Sequence, residues 1–256
     1  MAGDEDKTQD RREYPNPPIY EAICNVVFAA DARWTIATPG HVYDRFRSDY
    51  PAEPGKQVEV QADLSIAAAE KGRSGFGITR GAEKLRLSTE DGKHLVLVSP
   101  RNISFHSIRP YEGWKSLRGR VRTGLDLLSN VYDLLPVEAV TMRYINKIQI
   151  LEKSFELGDY FSIPVAIPEN LAVDVAAFFH RTETRERRGP LSFVQTFAST
   201  EVDEGKAEFI LDLDFTHKVD EPASTAEALM IADSMKETEN AVFESLITDK
   251  CRELFS

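Results

Sequence analysis

The order of elements in this chain runs twice. Each half reads as a strand, a short helix, three or four strands and then a long helix, with almost no identity between the halves. Strands followed by one long amphipathic helix have few ways to bury their apolar faces, and an antiparallel sheet gripping that helix is the simplest. The expected fold is therefore α+β, with two pseudo-repeated halves of helix-grip or TATA-binding-like order. The expected boundaries are a disordered leader over 1–17, an N-terminal half over 18–137 and a C-terminal half over 138–256, packed as one unit. One continuous sheet and two separate sheets both satisfy the pattern.

In the first half, Tyr20, Ala22, Cys24, Val26 and Phe28 alternate with Glu21, Ile23, Asn25 and Val27, the period of a strand. Thr38-Pro39 supplies a cap and a first-turn proline for a helix that Pro51 stops. Strands are expected at Gln57–Ala67, Gly75–Arg80, Leu85–Thr89, His94–Val98 and Ile103–Ser107, with Asp91-Gly92 as a hairpin turn. A long helix is expected to begin near Tyr111, with Trp114, Leu117, Val121, Leu125, Leu128, Tyr132 and Leu135 in three-four spacing, and to end at Pro136. The second half has strands at Val140–Leu151, Ala172–Thr182, Ser192–Thr200 and Ala207–His217, and a short helix at Leu157–Phe161. One helix from Thr225 to Phe255 closes it, with Leu229, Met235, Phe243 and Leu254 on its apolar side.

A net charge of −11 opposes sequence-independent binding to nucleic acid or anionic lipid. Apolar runs are only strand-length, so no membrane-spanning helix is expected, and the polar start Met1–Arg12 is not a secretory signal. Cys24 and Cys251 sit in apolar surroundings and read as small buried side chains of a reducing compartment rather than a disulfide. These features predict a cytoplasmic protein.

Four short stretches carry a family resemblance: Pro17-Pro18-Ile19-Tyr20-Glu21-Ala22, Tyr111-Glu112-Gly113-Trp114, Arg143-Tyr144-Ile145-Asn146-Lys147-Ile148 and Phe243-Glu244-Ser245-Leu246-Ile247-Thr248-Asp249. In that order the chain resembles a sporadically distributed bacterial family of about this length, one without an assigned activity. The resemblance brings no catalytic residue or substrate with it. Its patchy distribution resembles that of genes in defence or toxin–antitoxin cassettes.

Two groups of residues are candidates for contact with a partner or ligand. Arg143 and Lys147 share one face of their strand, while Asn146 points to the other, where a buried amide must find a partner or cost about 1–3 kcal/mol. Arg181, Arg185, Arg187 and Arg188 surround Gly189-Pro190 at an expected hairpin tip, and their guanidinium forks suit phosphates or an acidic protein surface. Against this, Glu183 and Glu186 dilute the field, and a solvated hairpin looks the same.

Lys115, Arg118 and Arg122 read as the wet flank of a helix. Glu239 reads as a turn passing beyond the sheet edge, although burial there would raise its pKa. Asp212 and Asp214 share the wet face of a strand. His41, His94, His106, His180 and His217 lack metal-ligand spacing, and Gly72, Gly75, Gly77 and Gly81 lie between strands rather than at a strand-to-helix turn.

The function expected is a non-enzymatic, protein-binding component of a bacterial accessory module. The alternative is a small-molecule binder or enzyme with a cavity between a helix and its sheet. No cofactor, metal or catalytic residue is assigned, nucleic-acid and membrane partners are not expected, and exposed edges leave a homodimer open.

Overall fold

Antiparallel ladders join every strand among the described residues into a single sheet. The computed structural model describes residues 13–65, 75–133, 136–152, 154–165, 177–200 and 206–256. The strands are β1 (Ile19–Phe28), β2 (Gly55–Ser65), β3 (Gly75–Ser88), β4 (His94–Val98), β5 (Asn102–Ile108), β6 (Val137–Ile150), β7 (Phe179–Arg185), β8 (Leu191–Ser199) and β9 (Ala207–Ala223). Their order across the nine-stranded sheet is β2-β3-β4-β5-β1-β6-β9-β8-β7. The helices are α1 (Thr38–Phe46), α2 (Trp114–Ser129), α3 (Leu157–Tyr160), α4 (Thr225–Leu246) and α5 (Asp249–Glu253).

Strict alternation places the core. Cys24 at the sheet centre lies between Phe105 of β5 and Met142 of β6, and all three are buried. Tyr144, Leu211, Leu213 and Phe215 continue this apolar face across β6 and β9. The helices pack on that same face: α2 against β5, α4 against β6 and β9, and α1 against β3 and α2. Gly124 lets α2 lie flush, because a Cβ there would come 2.2 Å from Cε1 of Phe105. Among the described residues no helix is long and apolar enough to cross a membrane.

Several local expectations hold. Pro39 lies in the first turn of α1, although the N-cap is Ala37 and not Thr38, and Gly92, at φ +69°, turns the hairpin between β3 and β4. Cys24 and Cys251 are free and buried, and burial pushes both thiols up to about 12.

Others need correction. The two strands expected between Gly75 and Thr89 are one, β3, with a register shift opposite Val58–Val60 that takes in Gly81. Helix α2 stops at Ser129 instead of running to Leu135, since the side chains of Ser129 and Asn130 both donate to the Asp126 carbonyl. Strand β9 runs on past His217 to Ala223, alongside Val137–Ala139 of β6. Strand β7 is Phe179–Arg185, and the start expected at Ala172 lies outside the described residues.

The final helix is broken. Ile247 leaves helical geometry and bridges to Phe161, and Thr248 caps α5 by accepting from the Cys251 N–H. The break turns Phe255 into the core and Leu254 toward solvent, the reverse of a continuous helix. At the other terminus Tyr14 donates to Glu244 (2.6 Å) and the Asn16 N–H to the Phe255 carbonyl (3.0 Å).

Candidate functional site

Hairpin β7–β8 carries the basic cluster at one end of the sheet. The Glu186 N–H donates to the Leu191 carbonyl (2.9 Å) and closes a loop over residues 187–190. Every residue from Arg181 to Pro190 is exposed. Arg181 is already engaged, donating to Glu183 at 2.6 Å. Arg185, Arg187 and Arg188 have no carboxylate among the described residues within ion-pair distance. The tip therefore presents three guanidinium groups to solvent.

The face of the sheet away from the helices holds the second candidate group. Arg143 forks onto Asp212 of β9 (2.9 and 2.6 Å), and that pairing holds its guanidinium pKa up. Lys147 meets Glu208 at 2.9 Å, and Gln149 donates to the same carboxylate, so Glu208 titrates below the usual range. His106 bonds to Glu21 (2.8 Å) and to Ser104 (3.1 Å). Burial pushes the Asp214 carboxyl up, against the pull of Arg143.

Arg143 and Lys147 thus lie on the face they were expected to share. Asn146 lies on the other, 1 % exposed, with its amide donating to the Leu211 carbonyl directly across the ladder (3.1 Å). It satisfies the sheet and does not join the other two.

Beneath the helices lies a polar set that the sequence did not reveal. Lys236 and Glu239 of α4 are both buried and paired at 2.5 Å, with the Lys236 ammonium 4.0 Å from the centre of the Tyr144 ring. Burial raises the Glu239 pKa, and Lys236 opposes the shift. The expectation that this turn passes beyond the sheet edge is therefore wrong: α4 lies over β6 here, and the lysine one turn earlier makes the burial tolerable.

The Tyr144 hydroxyl meets that of Tyr111 at 3.1 Å. Arg118 is not a wet flank either. It forks onto Asp233 of α4, which also accepts from the Trp114 indole N–H at 2.9 Å, tying α2 to α4. Of the expected basic line, Arg122 alone remains simply exposed, while Lys115 lines a cleft.

Burial works against the Asp233 charge, but the bonds from Arg118 and Trp114 outweigh it and the pKa is lowered. A depressed folded pKa contributes stability above the unfolded value, about 3.9, that is lost as pH falls through the folded one. The melting-temperature gap between wild type and Asp233→Asn should accordingly shrink below about pH 4. A gap that is constant through acid would contradict the pairing.

The cleft lies between α2 and the turn after α1, with a volume of about 660 Å³, and its walls include Tyr50, Lys115, Ser116, Gly119 and Arg120. A smaller recess beside it, lined by Asp91 and His94, shares Asp49 with it. His94 is 94 % buried, and its Nδ1 has no partner among the described residues; Nε of Arg120 is likewise unpaired. Glu112 lies between them, 3.5 Å from His94 and 3.3 Å from Arg120. Burial, with Arg120 nearby, lowers the His94 pKa against the opposing pull of Glu112.

Among the described residues no cluster of three or more His, Cys, Asp or Glu is placed to hold a metal ion. Gly75, Gly77 and Gly81 lie along β3, and Gly72 is outside the described residues. The family-like stretches have visible folding roles. Gly113, at φ +92°, admits the chain to α2, Trp114 reaches Asp233, the Pro18 carbonyl accepts from the Lys147 N–H, and Thr248 caps α5. Compared with models of known protein families and with curated proteins, the chain matches none.

Proposed function

We propose that the protein is a non-enzymatic, cytoplasmic interaction component of a bacterial accessory module of defence or toxin–antitoxin type. Its partner is a protein bearing an acidic segment, and the grip is the β7–β8 hairpin, helped by the sheet face that carries Arg143 and Lys147. The observation that carries this reading is the hairpin tip, where Arg185, Arg187 and Arg188 are exposed without a carboxylate partner among the described residues. Guanidinium groups free of internal pairs keep their forks available for carboxylates of another chain. The placement of the helices supports the same reading, because they load one face of the sheet and leave the other to polar pairs.

The two-halves plan belongs to this proposal as well. It is supported by the position of each half's first strand beside its last, β1 by β5 and β6 by β9, with β1 and β6 meeting in the middle.

Reversing charge at Arg185, Arg187 and Arg188 together should abolish capture of the native partner while leaving the melting temperature unchanged, since all three are exposed. Full capture by the folded triple variant would remove the hairpin from the interface. A second reading, a small-molecule site, is favoured by one observation: the unpaired nitrogens of Arg120 at the cleft and of His94 at the recess beside it.

A further inference from the structure

Strand β7 ends the sheet, and among the described residues it pairs with β8 alone. Its free edge has a definite chemistry. The Glu186 N–H donates to the Leu191 carbonyl and the Ser199 N–H to the Phe178 carbonyl, so even-numbered residues direct their backbone groups toward β8. In an antiparallel ladder the alternate residues direct theirs the other way. Phe179, Arg181, Glu183 and Arg185 therefore offer N–H and C=O groups outward, in a strand exposed on both faces.

A row of unpaired backbone groups is a template for another strand, and natural edges usually block it with charge of one sign, proline or a bulge. This edge carries both signs, and the signs are arranged symmetrically.

We propose that β7 is a homodimerisation edge, pairing antiparallel with β7 of a second copy about a twofold axis through Thr182. Antiparallel pairing of identical strands about a twofold axis must centre on one residue, which then faces itself. Centring on Thr182, the midpoint of Phe179–Arg185, sets Arg181, which within one chain pairs with its own Glu183 at 2.6 Å, opposite Glu183 of the second copy, twice, so that the two internal pairs become one four-charge cluster. It also sets Phe179, 68 % exposed, opposite Arg185 of that copy, again twice, where a guanidinium can lie over the ring.

All four of these opposed pairs fall on residues whose backbone groups point outward, so each supplies two hydrogen bonds. Centring on Arg181 would set that guanidinium against its own copy, and centring on Glu183 would oppose two carboxylates and set Arg181 against Arg185. Backbone geometry admits each of these centres, since all of them oppose outward-facing residues, and charge selects Thr182, which also pairs the strand over its whole length. The product is one continuous sheet of twice the width, with both helix layers on the same side. The proposal shares only Arg185 with the acidic-partner reading, because Arg187 and Arg188 lie beyond the pairing strand, and it is tested on the purified protein alone with Arg185 left unchanged.

The test is sedimentation velocity on the full chain. Wild type should sediment as a dimer. Arg181→Glu and Glu183→Arg, each alone, oppose like charges across the seam and should weaken dimerisation about tenfold to a hundredfold. Mixing these two variants should restore a dimer, since each then faces its complement, and the double variant Arg181→Glu/Glu183→Arg should dimerise by itself. Both positions are exposed, so circular dichroism should show every variant folded. A monomeric wild type, single variants that dimerise like wild type, or a mixture that stays monomeric would each overturn the proposal.

Discussion

Replacing Glu239 with alanine is expected to cost about 3–5 kcal/mol of folding stability, read by urea denaturation at neutral pH. The loss does not measure the worth of the pair. It comes mainly from leaving the Lys236 ammonium in the packed space between α4 and Tyr144 with its counter-charge gone. The double variant Lys236→Met/Glu239→Leu removes both charges at similar volume and should recover most of the loss. A single-variant cost under about 1 kcal/mol would show that the lysine reaches water, and that α4 is not seated on β6 as described.

The second large effect is expected at Phe209. Its ring lies among those of Phe155, Phe161, Phe178 and Phe197, with centroids 5.3 to 6.2 Å away, and it is 4 % exposed. Phe209→Ala should cost about 3–5 kcal/mol, from lost transfer energy and an unfilled cavity. This cluster joins β9, β8 and the turn after α3, and among the described residues the basic hairpin is held to the sheet by the ladder between β8 and β9. Amide exchange in β7 and β8 should therefore quicken more than in β1 or β5. Equal acceleration throughout would mean that the hairpin is not a separately anchored unit.

Much of the fold was legible because its signals are local. Alternation gave β1 and β4 almost to the residue, Asp91-Gly92 gave its hairpin, and Thr38-Pro39 gave the start of α1. Nonlocal facts were not legible. That one sheet forms, with β1 between β5 and β6, depends on pairings more than a hundred residues apart, such as Cys24 with Met142.

The α4–α5 break was hidden because apolar residues keep a helical period through it. The signal was Thr248-Asp249, a cap inside that run. Glu239 was misread because a lone carboxylate on an apolar stripe suggests exposure, and its partner Lys236, one turn away, carries the same suggestion. Two polar residues at helical spacing on a core face deserve to be read as a pair. In the candidate site, the exposed arginine tip and the opposite facing of Arg143 and Asn146 followed from strand period alone. The cleft beside α2 and its neighbouring recess did not, since His94, Glu112 and Arg120 meet there only through packing.

If the arginine tip of β7–β8 holds a protein partner, that partner should travel with the purified chain. The most direct measurement is native mass spectrometry of wild type and of the Arg185→Glu/Arg187→Glu/Arg188→Glu variant, each gently purified from the protein's own host. A stoichiometric protein companion is expected on the wild type and should be missing from the folded variant, whether the chain itself is single or paired. A companion retained by the variant, or a wild type carrying only a small bound mass, would contradict a partner held at the tip, and the latter would shift attention to the cleft between α2 and the turn after α1.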